Sequence, residues 1–446
     1  MPATAAAAAA AVQPASSRQV AVATLAACMG WALDLFDLFI LLYVAPYVGR
    51  LFFPSAVPTL SLAAVYASFA VTLLMRPVGS ALFGSYADRH GRKGAMVLAV
   101  TGVGISTAAF GLLPTIEQVG LAAPAMFLVL RLVQGVFVGG VVASTHTIGT
   151  ESVAPRWRGL MSGLVGGGGA GLGSLLASLV FLAASAAFPG DAFAVWGWRV
   201  MFFSGLVSSL LGWFVFRNLE ESPLFQAAQE RKRLTRAAGL AEASPLRTLF
   251  SPRWRPVLLA NLLVTTGGGA GYYLTSGYMP SFLKVVVGVP NGAASGILIG
   301  ASLSAIAASL IVGHLSQVIG RRPTFLGVGA AMAVLMPTLY LLMARPGAGL
   351  GVVTACALGL AFLGNAGYAP VLIFLNERFP TALRASGTGL SWNIGFAIGG
   401  TLPTFVSLAS PTTAALPVSL AIFTAAVSLL LVLGAALTPE TRGELV

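Results

Sequence analysis

Charge is what this chain has least of. Only 9% of its 446 residues are Asp, Glu, Lys or Arg, against 57% hydrophobic, and the mean hydropathy is +0.89. Soluble domains carry about 25% charged residues, and a soluble core of this length cannot hide so much apolar surface. A chain made mostly of membrane-spanning helices can, because lipid is itself apolar. Acids are scarcer still: 13, against 25 bases, for a net charge of +12. The excess is no nucleic-acid patch, because the bases lie scattered in short loops on one side, which is an orientation signal. The two cysteines, Cys28 and Cys356, fall inside apolar segments of different halves and read as small core residues. No metal-binding cluster, nucleophile triad or cofactor loop is present, so the sequence does not read as an enzyme and calls for no cofactor. The run Gly163–Gly173 lacks the Lys-Ser/Thr ending of a phosphate loop and lies in an apolar span, where small residues let helices pack closely.

Long apolar runs are what the chain has. A span needs about 20 residues, and twelve stretches qualify. The first six are Val20–Tyr47, Leu60–Phe83, Gly94–Leu113, Ala122–Thr150, Gly159–Phe188 and Trp196–Phe216. The second six are Pro256–Lys284, Ala293–Val318, Pro323–Met343, Leu350–Asn376, Ala385–Ser410 and Thr412–Leu437. The fold class expected is an all-α integral membrane protein, with helical bundles at 20–217 and 256–438. A polar linker at 218–255 joins them, containing Arg231-Lys232-Arg233, and a short tail follows at 439–446. Residues 1–19 form an Ala-rich tail with no basic leader, expected to be disordered and not a cleaved signal. With the amino terminus inside, 19 of the 25 bases fall in cytoplasmic loops and 4 outside, which puts both termini in the cytoplasm.

The halves repeat each other. Gly84-Ser-Tyr-Ala-Asp-Arg-His-Gly-Arg-Lys93 lies between two apolar runs, and a degraded copy, Gly313-His-Leu-Ser-Gln-Val-Ile-Gly-Arg-Arg322, lies at the matching place. Glu151 and Arg158 bracket six residues after the fourth span, as Glu377 and Arg384 do after the tenth. Leu219–Pro223 and Thr438–Gly443 follow the sixth and twelfth. Internal repeats flanking a midplane site are the architecture of secondary transporters. Orientation alone accounts for Arg89, Arg92 and Lys93 but not for Asp88, Glu151 and Glu377, because acids at an apolar boundary want partners. These loops resemble the signature loops of the major facilitator superfamily. The resemblance implies a fold of twelve helices in two six-helix bundles, and ion-pair latches on the cytoplasmic side. Asp88, Arg92, Glu151 and Arg158 would form one latch, with Arg89 beside it. Arg322, Glu377 and Arg384 would form the other, with Arg321 beside it, weakened because Gln317 replaces the acid.

Charged residues inside spans are functional by default. Asp34 and Asp37, three apart, share one helix face. Asp34 lies roughly 20 Å into its span and Arg131 roughly 14 Å into the fourth, so both reach the middle of a ~30 Å core and are expected partners. They form either a static ion pair or a proton site: a desolvated carboxylate holds a proton more readily, and a nearby Arg opposes that. Arg76 reads as structural, snorkelling from near the inner end of span two. His146 is a relay candidate or an ordinary helix histidine.

Gly30-Trp-Ala-Leu-Asp-Leu-Phe-Asp37 and Arg131-Leu-Val-Gln-Gly135 resemble the first- and fourth-span patterns of the metabolite:H⁺ symporter family, with Asp34 for the usual Glu and Leu35 for one aromatic. Arg76-Pro-Val-Gly79 and Trp196-Gly-Trp-Arg199 are similar too, and neighbouring organic-acid families share Asp-x-x-Asp. The resemblance implies proton coupling at Asp34 or Asp37 and anion binding at Arg131 and Gln134. Tyr272, Tyr273, Tyr278, Asn365, Tyr368, Trp392 and Asn393 are candidates for the rest of the lining. The sugar-porter amides are absent at Thr265–Tyr273, which leaves a polyol without partners, and the antiporter Gly-Pro of span five is missing.

The expectation is a proton-coupled symporter importing a small organic carboxylate by alternating access. The alternatives are a carrier of a zwitterion (betaine or amino acid), a drug or metabolite exporter, and a sensor that has lost transport. The implied partners are an organic anion, a proton and the lipid bilayer, with the protein a monomer in a bacterial inner membrane; no metal and no nucleic acid are called for.

Overall fold

The computed structural model describes residues 17–90, 92–151, 155–217 and 245–443; within these, the side chains at 17–23, 26–27, 84, 87–90, 92–93, 141–151, 215–217, 245–246, 381–382 and 385 lie outside the description. Most of the sequence-predicted linker and the ends of both predicted tails therefore fall outside it.

Among the described residues, twelve long helical segments follow in chain order. In the first half they are α1 (Ser17–Phe52), α2 (Pro58–His90), α3 (Arg92–Phe110), α4 (Ala122–Glu151), α5 (Pro155–Ala187) and α6 (Phe193–Phe214). In the second they are α7 (Arg255–Val287), α8 (Asn291–Ile319), α9 (Arg321–Met343), α10 (Leu350–Glu377), α11 (Thr381–Leu408) and α12 (Leu416–Ala436). Ten are long and apolar enough to cross a membrane; α3 contributes the shorter apolar stretch Gly94–Phe110, and α11 is a 28-residue helix. No strand occurs among the described residues. In lipid the backbone must satisfy its own hydrogen bonds, so apolar runs of this length become helices. Large apolar side chains such as Leu210, Phe214, Leu259 and Ile422 point outward, as a lipid-facing wall requires.

Inside each half, glycines let backbones touch. A Cβ at Gly79 or Gly139 would run into the backbone carbonyl of Val136 or Arg76, which fixes α2 against α4 just where Arg76 sits. Between the halves, α5 meets α8 the same way: a Cβ at Gly163 would collide with the Ser309 carbonyl. Pro370 cannot donate an N–H and interrupts α10. Ser162 of α5 repairs the break from across the seam, donating to the Ala369 carbonyl at 2.9 Å and accepting from Ile373 N at 3.1 Å.

The opposite end of the seam closes with hydroxyls and rings. Tyr66 of α2 stacks on Tyr278 of α7 at 4.9 Å and donates to Ser281 at 2.8 Å, while Thr59 donates to the Ser410 carbonyl at 2.7 Å. Tyr47 bonds the Asn291 amide at 2.9 Å. One apolar core runs through both halves and the seam between them.

Candidate functional site

At the middle of the seam α1 and α2 bring Asp34 and Arg76 together. Arg76 Nη2 donates to Asp34 Oδ2 at 3.1 Å, and each residue is only 3% exposed. This corrects two sequence expectations. Asp34 pairs with Arg76 and not with Arg131, and Arg76 does not snorkel. The physical reason is that α2 runs on to His90, so Arg76 lies about 20 Å from that end, too deep to reach water.

Rings from both halves enclose the pair. The Arg76 guanidinium lies 5.7 Å from the Trp31 ring. Trp31 Nε1 donates to the Tyr368 hydroxyl of α10 at 3.1 Å. Trp392 of α11 meets Trp31 at 5.8 Å and Tyr368 at 5.6 Å, edge-on to both, and stacks on Phe396 at 4.4 Å. Tyr272 lies 5.3 Å from Tyr368, and Tyr273 meets Phe69 at 5.5 Å. Helix α7 widens at Tyr273–Gly277 into a π turn, a deviation that often accompanies functional sites. Among the described residues, Asp34 Oδ1, Arg76 Nε and the Tyr272 hydroxyl, all around this chamber, are buried with no hydrogen-bond partner. Buried polar groups are normally bonded, so unmet groups of both signs here fit a polar ligand.

Arg131 occupies a different place. It is fully buried inside the first half, where its Nη1 donates to Gln134 at 2.6 Å and its guanidinium lies 4.2 Å from the Phe110 ring and 5.2 Å from Phe127. Gln134 Nε2 in turn donates to the Thr107 hydroxyl at 2.8 Å, and Thr107 neighbours Asp37. Asp37 accepts the Ser208 hydroxyl at 2.9 Å. Asp34 and Asp37 therefore share a helix face but serve different partners, one at the seam and one within the first half.

The other sequence candidates divide. Tyr272, Tyr273, Tyr368 and Trp392 reach the chamber. Asn365 is buried beside it, donating to Ser276 at 3.5 Å and leaving its Oδ1 unmet. Asn393 is half-buried and donates to its own helix at Gly389. Tyr278 sits away from the ion pair, in the closure with Tyr66. The side chains of Asp88, Arg89, Arg92, His146 and Glu151 lie outside the described residues; Arg158 is half-buried at the start of α5.

The second ionic cluster also departs from expectation. Arg321, not Arg322, pairs with Glu377, through bonds of 2.9 and 3.0 Å. Arg322 points outward and bonds the Ala436 carbonyl at 3.3 Å, while Arg384 donates to the Asn376 carbonyl at 3.0 Å. The first basic position follows Gly320, whose left-handed turn tucks Arg321 inward at the start of α9. Gln317 accepts from Arg321 at 2.7 Å and from Gly159 N of the other half at 3.2 Å, so it takes part where an acid was expected. Glu440 caps α9, accepting from the amides of Arg321 at 2.8 Å and Arg322 at 3.0 Å. Burial pushes the Glu440 carboxyl up, but backbone N–H groups outweigh that and hold it below the usual carboxylate range.

Sequence reasoning missed Trp31, Phe396, Glu440 and the role of Arg76. Trp31 precedes Asp34 by three residues, so the shared helix face was a usable signal. Nothing in the sequence marked Glu440 as a cap for a helix more than a hundred residues earlier.

Among the described residues, two helical halves close on a buried ion pair and a shared aromatic chamber. The chain matches the family model described as the Major Facilitator Superfamily over residues 20–403, and it belongs to that superfamily of secondary transporters. Among curated relatives, it is 32% identical over 395 residues to the alpha-ketoglutarate permease of Escherichia coli (strain K12), covering 86% of each chain. It is 30% identical to the glycine betaine/proline/ectoine/pipecolic acid transporter OusA of Dickeya dadantii (strain 3937), covering 85% of this chain and 75% of that one. It is 30% identical to the inner membrane metabolite transport protein YhjE of Escherichia coli (strain K12), covering 96% of each. Its fold resembles that of the proton:xylose symporter XylE, with a TM-score of 0.73 at 17% identity over 96% of this chain and 97% of that one.

Proposed function

We propose that this transporter is a proton-coupled importer of a small organic carboxylate, working by alternating access. The observation that carries the reading is the buried Arg76–Asp34 pair, with Arg76 Nε and Asp34 Oδ1 both without a further partner among the described residues. A substrate carboxylate competes with Asp34 for the guanidinium. Once displaced, Asp34 is a buried carboxylate without its counter-charge, an expensive state that a proton relieves. Substrate and proton then bind together, and the inward proton gradient drives uptake. Arg76, rather than Arg131, anchors the substrate; Asp34 carries the coupled proton. The distribution of Lys and Arg supports cytoplasmic termini in a bacterial inner membrane, with residues 218–255 linking the halves. The Arg321–Glu377–Glu440 cluster then belongs to an inner latch, and the Tyr66–Tyr278 stack to an outer one.

A zwitterion is the second reading, favoured by the rings of Trp31, Trp392, Phe396 and Tyr368, because aromatic faces hold a quaternary ammonium. Proteoliposome uptake of a panel of carboxylates, betaines and sugars, with and without an inward proton gradient, tests both. Carboxylates accumulating only with the gradient are expected. Accumulation of betaines alone would move the assignment to the zwitterion, and gradient-independent uptake would remove the coupling.

A further inference from the structure

A second polar cluster lies beside the chamber. Tyr43 of α1 bonds Ser178 of α5 at 2.6 Å and Ser174 at 3.2 Å, and Ser174 bonds Ser302 of α8 across the seam at 2.9 Å. Ser174 and Ser302 line a cavity of about 10 Å³, the space of roughly one water, together with Ser276 of α7. Asn365 donates to that same Ser276, and its own Oδ1 is buried without a partner among the described residues.

The cluster connects with the ion pair through packed rings. Tyr43 meets Phe39 at 6.1 Å and Phe39 meets Tyr272 at 5.9 Å. The Tyr272 hydroxyl has no hydrogen-bond partner among the described residues. Among the described residues, no Lys or Arg takes part in the hydroxyl cluster. A second carboxylate there would be a buried charge without a counter-ion, which is costly, whereas a neutral oxygen finds donors and acceptors at once.

We propose that this hydroxyl cluster is a second subsite, which takes a neutral oxygen function at the far end of the substrate. On the carboxylate reading, which this rests on, the preferred cargo is then a hydroxy- or oxo-monocarboxylate and not an unsubstituted acid or a dicarboxylate.

The test is ligand-induced thermal stabilisation of the purified protein, titrated to an apparent Kd. The probes are the straight-chain acids from propanoate to hexanoate, their ω-hydroxy derivatives and the matching dicarboxylates. At the best length, the hydroxy acid is expected to bind about 10-fold tighter than its parent, the worth of one added buried hydrogen bond. Tyr43→Phe and Ser302→Ala, both close to isosteric, should bring that ratio toward one. Equal binding of hydroxy acid and parent at every length overturns the subsite and leaves the carboxylate reading intact. So does a ratio that survives both substitutions, or a dicarboxylate that binds best. Binding of no carboxylate at all overturns both readings.

Discussion

Two buried arginines face different company. Arg76 lies on the seam, paired with an acid and with rings from both halves around it. Arg131 lies within one half, bonded to an amide and packed on two phenyl rings. The proposed substrate anchor is Arg76 because, unlike Arg131, it lies where both halves can reach it. A group inside one half moves with that half and senses nothing of the alternation. A group on the seam changes its surroundings whenever the halves rock against each other.

The comparison breaks most sharply at Arg76. Arg76→Ala would remove the proposed anchor and strand Asp34, so uptake should fall by roughly 100-fold or more. A variant that still folds but transports normally would erase the distinction. Arg131→Gln should act on stability instead. Losing two ring contacts costs about 0.5–2 kcal/mol, visible as a lower melting temperature with substrate affinity kept; a selective loss of affinity would restore Arg131 as the anchor. A third arginine, Arg321, sharpens the contrast: it pairs with Glu377, and its backbone amide is capped by Glu440. Glu440 is held below the usual carboxylate range, so its stabilising effect is full at neutral pH and is lost as pH falls through that lowered value. The gap in melting temperature between wild type and Glu440→Gln should therefore be small, present at neutral pH, and absent in acid.

The twelve spans and the repeated halves were legible because lipid imposes length and apolarity on every span, and both survive in the sequence. The pairing of Asp34 was not. Depth along a helix can be counted, but the direction a side chain faces depends on how helices rotate against each other, which the glycine contacts of α2 and α4 decide. That is why two residues of similar depth, Asp34 and Arg131, do not meet. The same limit explains Arg321: a basic pair reads as one signal until the left-handed turn at Gly320 sends one member inward and the other out.

The central claim is that Asp34 exchanges Arg76 for a proton when substrate binds. Asp34→Asn tests it in proteoliposomes, comparing counterflow of a transported carboxylate with uptake driven by an inward proton gradient. Counterflow is expected to persist while the gradient no longer drives accumulation. Accumulation at the wild-type level by the Asn variant would contradict it.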